Sequence, residues 1–128
     1  MSEISDKVKA SPQYPSDFDE YIDIESGLKR VAGSVKIYIK ILHSFLATEE
    51  LDKFTANLAA GDIEAATATA HGIKGMSGNL SLTKLYNETV AFETKLKQGV
   101  YESADKETFD AIAEKTSAYL NIMLAAIE

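Results

Sequence analysis

Apolar residues recur at intervals of three and four from Phe18 to the C-terminus, the period of helices that each bury one face. No stretch alternates apolar and polar positions over a strand's length, so the pattern predicts an all-α fold. A short helix carries Phe18, Tyr21 and Ile22, with Ser16 placed to cap it, and a second one, "IESGLKRVA", carries Leu28 and Val31 and stops at Gly33. From Ser34, a cap, to about Leu58, one long helix presents Val35, Ile39, Leu42, Leu46 and Phe54 on or near one stripe and leaves Lys36, Lys40, Glu50 and Lys53 for solvent. Gly61 ends it and Asp62 caps the next helix. There Ile63, Ala66, Ala70, Ile73, Ser77 and Leu80 follow at spacings of three, four, three, four and three, a seam of small residues that lets neighbours approach closely. After a turn near Ser81 to Thr83, the residues Leu82, Leu85, Thr89, Phe92 and Leu96 repeat the pattern up to Gly99. Beyond the polar link "YESAD", Phe109, Ile112, Thr116, Tyr119, Met123 and Ile127 carry the last helix.

Four long helices joined by short links predict an antiparallel up-down-up-down bundle, with the two short N-terminal helices as a lid over one end. Residues 1–15 are polar, charged and interrupted by Pro12 and Pro15, which predicts a flexible tail ahead of one helical domain over 16–128.

Composition narrows the function. The 128 residues suit a single domain with one core, too small for separate nucleotide and substrate lobes. A formal charge of −7 argues against nucleic acid as partner, since phosphate contacts need clustered Lys and Arg. The chain lacks cysteine, so neither a disulfide framework nor a thiolate zinc site is available. Neither His43 nor His71 follows a glutamate by three residues, as a di-metal bundle would require. There is no apolar run of the roughly 20 residues needed to span a bilayer, and the N-terminus lacks a leader pattern, so the expectation is a cytoplasmic protein without membrane insertion. A phosphate-binding glycine loop is also missing, which leaves self-sufficient phosphorylation from ATP unsupported.

One stretch departs from ordinary helix composition. "TATAHGIKGMSGNLS" holds His71, Lys74 and three glycines, and each interior glycine costs a helix about 0.5–1 kcal/mol relative to alanine. At 100° per residue the buried seam lies about 225° from His71, so the imidazole points to water. Gly75 and Gly78 fall within about 40° of it and Lys74 about 60° to the side. The glycines remove bulk around an exposed ring and admit a partner to it. His43, in "IKILHSFL", has no such surroundings and is expected to be structural or simply exposed.

"AHGIKGMSGNLS" resembles the characteristic stretch of the histidine-containing phosphotransfer (Hpt) domain family of two-component phosphorelays, A-H-x-L-K-G-x-[SA]-[GA]-N-L-G. Ile73 takes the leucine position and Ser81 replaces the last glycine. The similarity extends through "IDIESGLKRVAGSVKIYIKILHSFL" and covers most of residues 22–124. It implies a phosphocarrier without kinase activity of its own: His71 accepts a phosphoryl group from a receiver-domain aspartate and passes it reversibly to another receiver. In that reading Lys74 screens the phosphate charge, and Lys97 on the following helix is a second candidate for that task, with Lys95 as its competitor. Gly75, Gly78, Asn79 and an exposed Leu82 form the docking surface. The resemblance implies response-regulator receivers and a hybrid sensor kinase as partners, no cofactor on this chain, and Mg2+ on the receiver. The alternative is a helical adaptor that binds a receiver or kinase without transferring phosphate.

Overall fold

The apolar periodicity resolves into α1 (Glu3–Lys9), α2 (Phe18–Tyr21), α3 (Ile24–Arg30), α4 (Val35–Ala47), α5 (Glu50–Ala59), α6 (Ile63–Asn79), α7 (Thr83–Gln98) and α8 (Ser103–Ile127). The computed structural model describes residues 2–128. Among these residues there is no strand, and no helix is long and apolar enough to cross a membrane. Four antiparallel members form an up-down-up-down bundle: α4 with α5, then α6, α7 and α8. α6 lies between α5 and α7, and α8 packs on α7 and closes against α4. Phe54, Phe92 and Phe109 from three members meet in the core with ring centroids 4.9 to 5.8 Å apart. Each is almost wholly buried, an arrangement in which one side chain contributes about 1.5–3 kcal/mol of transfer free energy.

The first bundle member is two helices, where the sequence pattern predicts one. Tyr38, Leu42 and Phe45 are the buried residues of α4, and Phe54 and Leu58 those of α5. In an unbroken helix Phe54 would lie about 160° from Tyr38, so a straight rod would not bury both sets. Thr48, with ψ at 147°, breaks the helix and resets the phase. Val35, expected on the buried stripe, is accordingly exposed.

The N-terminal stretch also departs from expectation. Residues of the predicted tail form α1, which buries Ile4 and Val8 and packs on α8. These two are an i, i+4 pair among polar neighbours, too brief a stripe to register as a helix from sequence. The backbone N–H of Ser2 and the hydroxyl of Ser5 donate to Glu25 on α3, at 2.5 and 3.0 Å. The cap of α2 is Asp17 in place of Ser16, and α8 begins inside the expected link, through a capping box between Glu102 and Asp105.

The predicted stops hold before α6 and after α7. Gly61 and Gly99 have φ near 70°, the left-handed conformation that glycine adopts without a Cβ penalty. Asp62 accepts from the N–H of Ala65 as the cap of α6. On the seam, Ala66, Ala70, Ile73 and Ser77 are fully buried, and the Ser77 hydroxyl donates to the carbonyl of Ile73 at 2.8 Å.

Candidate functional site

His71 sits mid-way along α6, and its side chain is 72% exposed. Facing it on α7 is Glu93, whose side chain is only 7% exposed. Relative to Leu85, Glu93 lies about 80° around α7 while Thr89, Phe92 and Leu96 cluster within about 40°. It therefore occupies the edge of the buried seam, turned toward α6. Three side chains converge on its carboxylate. Lys74 Nζ donates to Oε1 at 2.8 Å, His71 Nδ1 stands 3.3 Å from Oε2, and Lys97 Nζ is 4.0 Å from Oε2. The hydrogen bond from Lys74, reinforced by the charges of Lys74, Lys97 and His71, holds the Glu93 carboxyl below its ordinary pKa in spite of its burial.

This grouping constrains the imidazole. A carboxylate only accepts hydrogen bonds, so at 3.3 Å Glu93 is compatible with a proton on Nδ1, the tautomer in which Nε2 carries the lone pair.

His71 lies between two depressions. One, of about 500 Å³, is lined by Lys74, Gly75, Gly78 and Asn79 from α6, by Tyr86 from α7, and by Asp23, Ser26 and Arg30 from the α3 region. The other, of about 530 Å³, runs between α6 and α7 beside Glu64, Thr67, Glu93 and Lys97. Gly75 opens onto free space: a Cβ added there meets nothing within 4 Å. Gly78 differs, since a Cβ there would stand 3.1 Å from the Tyr86 ring. Asn79 is exposed at the C-terminal end of α6.

Leu82 corrects an expectation. It is fully buried in the core and offers no docking surface. Ser81 adopts φ of 57°, and the N–H of Leu82 returns to the carbonyl of Ser77 at 2.9 Å, so the turn directs the leucine inward. Lys74 is less free than its predicted solvent position implies, at 26% side-chain exposure and tied to Glu93. Lys97 and Lys95 separate clearly. Lys97 approaches Glu93, whereas Lys95 pairs with Asp105 at 2.5 Å. His43 is exposed and pairs with Glu128 through Nε2, far along the chain from the His71 group.

Sequence reasoning did not assign Glu93, Tyr86 or Arg30 to the site. For Glu93 a signal existed, a carboxylate phased to the seam's edge with lysine four residues on. Arg30 had none, because only the tertiary placement of α3 brings it to the cleft.

The Hpt domain model matches residues 44–128, from the end of α4 through α8. No curated protein and no solved structure matches the chain.

Proposed function

The chain belongs to the Hpt domain family, whose members serve phosphorelays alongside receiver and sensor-kinase domains; from that premise we propose that it is a relay intermediate with His71 as its phosphoacceptor. The lone pair on Nε2 attacks the phosphorus of an aspartyl phosphate on a receiver. The P–N bond forms as the P–O bond to the aspartate breaks, and the aspartate leaves as a carboxylate. The proton stays on Nδ1, where Glu93 compensates the positive charge that develops on the ring. Reversal of the same step delivers the phosphoryl group to a second receiver. Lys74 lies one turn from His71 and supplies positive charge next to the incoming phosphoryl oxygens, with Lys97 on the opposite side of Glu93.

The observation that carries this reading is the pairing of a well-exposed imidazole with a buried carboxylate at its inner nitrogen. A receiver domain loaded with radiolabelled phosphate tests it. Wild-type protein should gain acid-labile, base-stable label and His43→Gln should retain it, whereas His71→Gln should fold and gain none. Full labelling of His71→Gln overturns the assignment; binding of the receiver without any labelling of the wild type favours a non-transferring adaptor.

A further inference from the structure

One wall of the cleft beside His71 comes from α3, which lies outside the stretch matched by the Hpt domain model. Its placement is specific. The backbone N–H of Asp23 donates to the carbonyl of Ser81 at 3.0 Å, and the Ser81 hydroxyl donates to that of Ser26 at 2.8 Å. Ser81 occupies a left-handed conformation that glycine would adopt with less strain. A serine there retains the hydroxyl that reaches α3. On the helix's other side, Gly27 lies against Tyr38 so closely that a Cβ would fall 2.7 Å from its ring. Ile24 and Leu28 are buried beneath. α3 is thus fastened at both the α6–α7 turn and α4.

The last residue of α3 is Arg30, exposed and lining the cleft with His71, Lys74 and Gly75. Among the described residues it has no ion-pair partner, whereas Lys74 and Lys97 both face Glu93. Asp23 in the same wall is occupied in capping α3, accepting from the N–H of Ser26. The chain as a whole carries −7, so an unpaired guanidinium at this cleft is a local departure from the prevailing charge.

Resting on the proposed phosphotransfer at His71, we propose that α3 is a second docking wall for the receiver domain and that Arg30 pairs with an acidic group on that receiver's surface as it seats over His71. The occupant is the receiver itself, not the phosphoryl group alone. The donor arrives carrying an aspartyl phosphate, whose negative charge the cleft must attract at distance before the ring nitrogen reaches phosphorus. A planar, permanently charged fork on a fixed helix end suits carboxylate pairing. The Ser81–Ser26 bond keeps that fork in register with His71.

The test compares two phosphate sources on the full chain: a receiver domain charged with acetyl phosphate, and phosphoramidate, a small donor that needs no docking. Arg30→Glu should lower the second-order rate constant for transfer from the receiver by about tenfold at low salt, far more than it slows labelling by phosphoramidate, and the deficit should shrink as ionic strength rises. Lys29→Glu, on the neighbouring exposed position outside the cleft, should leave both reactions unchanged. A Ser26→Ala, Ser81→Ala double variant should reduce receiver transfer in the same direction without unfolding the bundle. Equal rates for wild type and Arg30→Glu with the receiver overturn the inference while leaving the role of His71 intact. A changed phosphohistidine lifetime with unchanged receiver association also overturns it, by assigning Arg30 to the phosphoryl group. Absence of label on wild-type His71 from either source would instead defeat the underlying phosphotransfer reading.

Discussion

His71 and Glu93 meet across the α6–α7 seam with Nδ1 3.3 Å from Oε2, the imidazole largely in water and the carboxylate almost entirely out of it. The asymmetry places the carboxylate at one ring nitrogen and leaves most of the imidazole open to solvent. Burial of an ionised carboxylate is costly unless it is paired. Lys74 supplies that pairing and links α6 to α7.

Replacing Glu93 with Gln keeps its volume and removes its charge. A carboxamide presents either an acceptor or a donor to Nδ1, so the tautomer is no longer selected. Single-turnover transfer from a phosphorylated receiver should slow by roughly tenfold, equivalent to about 1.4 kcal/mol of barrier. Far-UV circular dichroism should remain helical. Transfer at the wild-type rate would show that Glu93 serves only to hold Lys74 in the fold.

For Lys74→Ala the expected stability loss is about 1 kcal/mol or less, because its partner gains access to water when the lysine stem is removed. The consequence for Glu93 has a definite sign. Its folded pKa is depressed chiefly by the Lys74 hydrogen bond, so its contribution is present above the unfolded carboxylate range and is lost as pH falls through the folded value. The stability difference between wild type and Lys74→Ala should therefore narrow on acidification below about pH 4.5, the ordinary glutamate value. Phosphotransfer should slow at neutral pH. A difference in melting temperature that widens in acid would contradict the pairing.

A second acid-sensitive contact lies at the other end of the lid. Asp17 accepts from Lys115 at 2.8 Å and from Tyr119 at 2.5 Å, joining the N-cap of α2 to α8. Those hydrogen bonds hold its carboxyl below the usual range, the one from Lys115 most of all. The contact stabilises the fold above the unfolded value near 3.8 and fades as pH falls through the lower folded value. Asp17→Asn should lower the thermal midpoint at pH 7, and the two proteins should converge in acid. Urea midpoints measured across that range check the convergence.

The four-member bundle was legible because helical periodicity survives in Ala66, Ala70, Ile73 and Ser77, and in Phe109 through Met123, whatever the tertiary context. The break at Thr48 was not obvious because no Gly or Pro marks it. It is visible only when Tyr38 and Phe54 are required to bury on the same side, which is a tertiary condition. Leu82 misled for a related reason: a residue at a predicted turn reads as exposed until the left-handed backbone of Ser81 is known. His71, Lys74 and Gly75 belong to one local stretch and could be identified together. Glu93 comes to them from α7, where its phase at the seam's edge was a readable but unused signal, whereas Arg30 comes from α3, and no local spacing encodes that convergence.

Gly75 and Gly78 resemble each other in sequence but differ in surroundings, which makes them a direct probe of the open face. At Gly75 a methyl group meets nothing within 4 Å, so Gly75→Ala should stabilise the helix by about 0.5–1 kcal/mol through backbone propensity alone. At Gly78 the added Cβ stands 3.1 Å from the Tyr86 ring. Tyr86 is 38% exposed and its ring has room to shift, so the propensity gain should be partly offset and the net change smaller. Larger side chains then separate docking from folding. Gly75→Gln should keep or raise the thermal midpoint while transfer from a receiver falls by about tenfold or more, since a near-attack approach to the ring requires an unobstructed path. Gly78→Gln should impair transfer and also displace Tyr86, lowering the midpoint relative to Gly75→Gln. Thermal unfolding and single-turnover transfer measured on both variants distinguish these outcomes: undiminished transfer by a well-folded Gly75→Gln protein would place the receiver away from this face.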